Sequence, residues 1–130
     1  MAKAQVALEY LMVVGLVVLL LTPFWIYISL YSSDIEFSFK TEYARTAVNR
    51  ITDAADFVHV QGIPAKVRLK IYFPKGIDSV SVNGSKVSIT LLNNIIYSES
   101  IADLAGDLPI TEGYHYITIK SEGGYVDIIP

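Results

Sequence analysis

The chain has 130 residues, 13 acidic and 10 basic, for a formal charge of −3, and it contains no cysteine. That length allows one small domain plus one long hydrophobic element. The acidic balance argues against a nucleic-acid partner, and the lack of cysteine excludes disulfides, thiolate catalysis, zinc–cysteine sites and iron–sulfur clusters.

The first predicted element is apolar. From Tyr10 to Ser33 there are 24 residues without Asp, Glu, Lys or Arg. As a helix at ~1.5 Å per residue the run reaches roughly 36 Å, against ~30 Å of bilayer hydrocarbon. A secretory signal peptide needs an apolar stretch of only ~7–15 residues and a small-x-small cleavage site. Here the run is longer, and Ile28-Ser29-Leu30-Tyr31-Ser32-Ser33 is a poor site. A plain membrane anchor with its N-terminus inside fits Lys3 before the run and the acidic residues after it. Glu9 needs its own account, because a carboxylate near lipid is costly. A place in the first helical turn, where negative charge suits the helix dipole, explains that one residue. It does not explain the whole stretch Ala4-Gln5-Val6-Ala7-Leu8-Glu9-Tyr10-Leu11.

That stretch, Gln-x-Ala-x-Glu-Tyr directly before an unbroken apolar helix, resembles the class III signal of archaeal type IV pilin-like proteins over residues 3–22. The resemblance implies that a membrane prepilin peptidase cuts between Ala4 and Gln5, removing residues 1–4 as a leader. Gln5 then carries a free ammonium. In a filament, Glu9 of one subunit faces the Gln5 ammonium of another, and each charge compensates what would be a costly group alone. The resemblance further implies a pilus assembly ATPase and a membrane platform protein as partners. It places the precursor in the cell membrane and the product in a filament on the cell surface.

After Asp34 the pattern becomes amphipathic. Ala44, Ala47, Val48, Ile51, Ala54, Ala55 and Val58 recur at spacings of three and four, with Glu42, Arg45, Asn49, Arg50, Asp53 and Asp56 on the other faces. Gln61-Gly62-Ile63-Pro64 supplies a stop, with Gly62 suited to a left-handed cap. The spacing therefore predicts one helix from about Val6 to Val60, on the order of 80 Å long. Residues 5–33 are its membrane or filament-core half, and residues 34–61 are a spine for a sheet. Pro23 is either a flexible, locally unwound point or a tolerated kink. Gly15 permits close helix approach.

From Lys66 the period becomes two, and residues 66–130 read as a β-rich domain outside the cell. Strands are predicted at Val67–Phe73, Ser79–Val82, Lys86–Leu91, Ile95–Glu99, Tyr114–Lys120 and Tyr125–Ile129, about six in all. Asn83-Gly84 reads as a type I′ hairpin turn and Asn93-Asn94 as a second turn, while Ala102–Gly113 reads as a polar loop. The expected fold class is α+β: a long N-terminal helix followed by an antiparallel sheet or small sandwich packed on the helix's C-terminal half. That layout resembles the type IV pilin-like shape.

Motifs for catalysis are lacking. His59 and His115 form no H-x-x-x-H pair, and no phosphate loop or nucleophile elbow occurs. Asp103 and Asp107 flank a Gly-containing loop whose spacing fits no calcium pattern. No metal, cofactor or enzymatic activity is expected. Asn83-Gly84-Ser85 is an N-glycosylation sequon, although Asn-Gly also suits a turn by itself. Tyr114, Tyr116 and Tyr125 either form an exposed stripe or pack against the helix. The expectation is a pilus subunit that polymerises with copies of itself, for adhesion. The alternatives are a signal-anchored monomeric surface-binding protein and a minor or tip pilin.

Overall fold

Ala44, Ala47, Val48, Ile51, Ala55 and Val58 form the buried stripe of one helix, α1 (Ala2–Gln61), in a computed structural model that describes residues 1–130. The stripe is the one expected from the spacing, with Ala54 only half-buried and Thr52 added to it. Gly62 ends α1 at φ 72°, and its N–H reaches the Val58 carbonyl at 3.1 Å. This is the left-handed glycine cap. The helix starts at Ala2, four residues before the expected Val6, because nothing in Ala2-Lys3-Ala4-Gln5 opposes helix.

Two compact units divide the chain, Met1–Ser38 and Phe39–Pro130. The second holds the core. Seven strands follow the helix: β1 (Lys66–Phe73), β2 (Ile77–Asn83), β3 (Lys86–Leu91), β4 (Asn94–Glu99), β5 (Leu104–Gly106), β6 (Gly113–Ser121) and β7 (Val126–Ile129). They form a four-stranded sheet in the order β1-β6-β7-β5 and a three-stranded sheet in the order β2-β3-β4. The fold is therefore α+β, with sheets packed on the C-terminal part of α1.

Strict alternation built these strands. In β1, Val67, Leu69, Ile71 and Phe73 turn inward, while Lys66, Arg68, Lys70 and Tyr72 turn out. Ile117 and Ile119 of β6, Val126 and Ile128 of β7, and Val87 and Ile89 of β3 join them against the helix stripe in one cluster. Burying each such side chain contributes about 1.5–3 kcal/mol.

Three expectations about the strands are corrected. The segment Ala102–Gly113 is not all loop, since β5 pairs parallel to β7, Leu104 opposite Val126. Three residues are too few to display a period, and the partner lies some twenty residues on. Gly106 (φ 111°) completes this strand where an added Cβ would lie 2.1 Å from the Ile128 carbonyl oxygen, so only glycine fits. The sheet is consequently mixed rather than antiparallel, and the strands number seven.

The first hairpin turns on Gly84 and Ser85 rather than Asn83 and Gly84, because Asn83 pairs with Lys86. Gly84 has φ 57° and Ser85 is not in the left-handed region, which is the Gly-X type II′ pattern. The second hairpin turns on Leu92 (φ 47°) and Asn93 (φ 68°), not Asn93-Asn94. Inward registry of Ile89, Leu91 and Ile96 sets that turn and forces a leucine into it.

Asp56 is also corrected. It belongs to the expected polar face, yet it is half-buried. Its carboxylate accepts hydrogen bonds from the Ser100 hydroxyl and, at 2.8 Å, from the Ile101 N–H. One turn earlier, the Thr52 hydroxyl meets Ser98 Oγ at 2.9 Å. These bonds pin β4 and the loop after it to the helix.

Candidate membrane and assembly surface

The unit Met1–Ser38 has no core of its own. Every large apolar side chain from Val6 to Tyr31 is exposed, on all faces of the helix. A water-soluble monomer does not sustain a contiguous apolar surface of that size. The helix is long and apolar enough to cross a membrane, and none of its most apolar stretch is buried within the chain.

Polar groups along this segment are answered locally. Thr22 Oγ1 donates to the Val18 carbonyl at 2.7 Å, and Ser32 Oγ to the Ile28 carbonyl at 2.8 Å. Such back-bonding removes a hydroxyl's need for water. Pro23 lacks the N–H that would reach the Leu19 carbonyl, yet the helix runs through it without interruption.

Gln5 and Glu9 lie one turn apart on one face, both exposed. The Gln5 N–H bonds the Met1 carbonyl at 3.2 Å, so the Ala4–Gln5 peptide sits in the first turn of the helix. Glu9 makes no ion pair within the chain. An ideal Cβ added to Gly15 meets no atom within 4 Å, leaving that face open. Asn83 belongs to the other unit, exposed at the end of β2, with Ser85 in the turn beyond.

Sequence reasoning passed over the aromatic residues that bound the run. Tyr10 stands at one end, and Trp25, Tyr27 and Tyr31 stand at the other, all exposed. Tyr27 and Tyr31 stack at 6.1 Å with 9° between planes. Tyr10 to Tyr31 spans about 32 Å along the axis at ~1.5 Å per residue, close to the hydrocarbon thickness. Tyrosine and tryptophan favour the two membrane–water boundaries, and that preference was the available signal.

His115 Nε2 lies 2.8 Å from the Thr111 carbonyl oxygen, and His59 is half-buried on α1. No three His, Asp or Glu side chains converge on a point. Asp103 and Asp107 flank the short strand β5, where a Gly-containing loop was expected. Tyr114, Tyr116 and Tyr125 are all exposed, and the alternative of burial against the helix is set aside.

These features define an α+β protein whose N-terminal helix contains an exposed apolar stretch long enough to cross a membrane. No family model, no curated protein and no solved structure matches the chain.

Proposed function

We propose that this chain is a structural subunit of a type IV pilin-like surface filament. It is made as a membrane-inserted precursor, cut between Ala4 and Gln5 by a prepilin peptidase, and polymerised through α1. The observation that carries this reading is the apolar surface from Val6 to Tyr31, interrupted near its start by one unpaired carboxylate, Glu9, a turn from Gln5. Lipid covers such a surface before assembly and neighbouring helices cover it afterwards. Glu9 then sets axial register by meeting the new ammonium of another copy, since either charge stranded in an apolar bundle is costly. The ATPase and platform protein that the resemblance implies supply the work of extracting the helix from lipid. The exposed domain of residues 66–130 faces the outside and serves adhesion, with Asn83 as its N-glycan acceptor.

Cleavage requires the first turn to open, because a peptidase binds extended backbone. Helix ends fray readily, so a site in the first turn suits this.

The test is the native N-terminus together with electron microscopy of sheared cell-surface material. The expected product starts at Gln5 and forms filaments. Glu9→Ala is expected to leave a cleaved, membrane-inserted subunit with filament yield down at least tenfold. Intact Met1 on dispersed single copies would instead identify a signal-anchored monomeric surface protein. A correct N-terminus at low abundance, confined to filament ends, would identify a minor pilin.

A further inference from the structure

The outward face of β1 and β6 carries a row of cations and tyrosines that nothing in the assembly reading uses. Lys66, Arg68 and Lys70 alternate along one side of β1, about 6.8 Å apart at ~3.4 Å per residue. Register places Lys70 opposite Tyr116 and Tyr72 opposite Tyr114. Lys70 Nζ stands 4.4 Å from the centroid of the Tyr114 ring, and Arg68 Cζ stands 4.8 Å from that of Tyr116. Tyr43 of α1 meets Tyr72 edge-on at 5.4 Å, and Tyr72 meets Tyr114 at 5.1 Å. At the end of this row is a recess of about 200 Å³ lined by Tyr43, Thr46, Arg50, Lys70, Tyr72 and Tyr114.

The charges here are uncompensated. The other strand lysines are neutralised, Lys86 by Glu99 at 2.7 Å and Lys120 by Glu122 at 2.6 Å. Arg50, Arg68 and Lys70 make no ion pair, and no acidic residue lies at the outward positions of β1 or β6. In a chain with net charge −3, this face is a local reversal of sign.

We propose that this face binds a carboxylated polysaccharide, with one acidic sugar seated in the recess between Arg50 and Lys70. A guanidinium fork and an ammonium match a carboxylate, and the phenol hydroxyls and Thr46 hydrogen-bond sugar hydroxyls. Further carboxylates of the polymer follow Arg68 and Lys66 along the strand. Single-stranded nucleic acid fits less well. Its bases need free aromatic faces, and the chain's own cations already cover one face each of Tyr114 and Tyr116. The strands of a second copy offer no matching row, because none of them carries more than one acidic residue. The site deepens the adhesive role proposed above by naming its ligand class. It requires an exposed domain but not a polymer.

The experiment uses the full chain in detergent micelles, both wild type and the Glu9→Ala variant, against immobilised polygalacturonate, neutral dextran and single-stranded oligo-dT. Both chains are expected to bind polygalacturonate, to ignore dextran and to bind oligo-dT at least tenfold more weakly. Arg50→Ala and Lys70→Ala are expected to weaken polygalacturonate binding at least tenfold each, with Lys70→Arg retaining most of it. Lys86→Ala removes the same charge from the other sheet and is expected to leave binding unchanged. Absence of binding overturns the proposal, as does an equal loss in Lys86→Ala, which would mean simple ion exchange. Equal or tighter binding of oligo-dT also overturns it, in favour of nucleic acid. Because Glu9→Ala is measured alongside, a failure of filament assembly leaves this result readable by itself.

Discussion

Asp56 on the helix accepts the backbone N–H of Ile101 at 2.8 Å, 45 residues along the chain, and the Ser100 hydroxyl bonds the same carboxylate oxygen. Ser100 Oγ in turn accepts the Ala102 N–H at 3.1 Å. One side chain thus organises the exit from β4 that leads into β5. Hydrogen bonds to a charged acceptor contribute about 1.5–3 kcal/mol each, more than neutral ones. Asp56→Ala is therefore expected to destabilise the second unit by about 2–3 kcal/mol in chemical denaturation. Asp56→Asn keeps an acceptor oxygen and should cost about half as much. Equal stability of all three chains would remove this role.

Leu92 occupies the left-handed region at φ 47° with its side chain 55% exposed. A non-glycine residue there costs roughly 1–2 kcal/mol, and the exposed leucine recovers little by burial. Leu92→Asn suits the first position of a type I′ turn. The expected gain is about 0.5–1 kcal/mol, read as a rise of a few degrees in Tm. A drop in Tm would mean that Leu92 packs against something in the folded chain that its exposure conceals.

Two lysines at the surface have their pKa raised above the ordinary 10.5, Lys86 by its hydrogen bond and charge contact with Glu99, and half-buried Lys120 likewise by Glu122. A raised lysine pKa stabilises the fold below the unfolded value, and that stabilisation is lost as pH climbs through the folded value. The pairs therefore contribute a constant amount from neutral pH to about 9 and decline only above about 10.5. Comparing wild type with Lys86→Met/Lys120→Met should show a flat difference in Tm between pH 6 and 9 that shrinks at higher pH. A difference that instead changes between pH 6 and 8 would contradict the assignment to lysine. Because both pairs reach solvent, the difference should also shrink in high salt.

Features set by neighbours in sequence were readable from the residues. The stop at Gly62, the inward set Val67, Leu69, Ile71 and Phe73, and the helix stripe from Ala44 to Val58 all follow from local periodicity and one glycine. What depended on distant partners was not readable. Strand β5 exists because β7 offers a parallel edge, and Asp56 is a pin only because Ser100 and Ile101 arrive beside it. The turn at Gly84-Ser85 shows the same limit, since cross-strand register overrode the local Asn-Gly preference. Among candidate sites, Gln5 and Glu9 were singled out by the resemblance of Gln-x-Ala-x-Glu-Tyr to the class III signal, and the structure adds that they lie one helical turn apart. The cation–tyrosine face was not, because it requires pairing β1 with β6, with Lys70 set opposite Tyr116. Its tyrosines were noted; their cations were read only as the polar side of a strand.

Gly15 separates an intramolecular from an intermolecular role for the apolar helix. Within one chain, nothing lies within 4 Å of a Cβ at this position. Replacing a mid-helix glycine by alanine favours helix by about 1 kcal/mol. A chain that acts alone should therefore tolerate Gly15→Ala, and even Gly15→Leu, with no loss. Gly15, Thr22 and Ser29 recur at intervals of seven, so they share a narrow stripe of small side chains, the kind of surface that lets helices approach closely. If copies pack along that stripe, Gly15→Leu holds the helices apart and filament yield falls at least tenfold, while membrane insertion and the melting of the second unit stay at wild-type values. Gly15→Ala, one methyl larger, should give an intermediate yield. Negative-stain counts of filaments per cell, with immunoblots of the membrane fraction, measure both quantities. Normal filaments from Gly15→Leu would place the helix contact on another face.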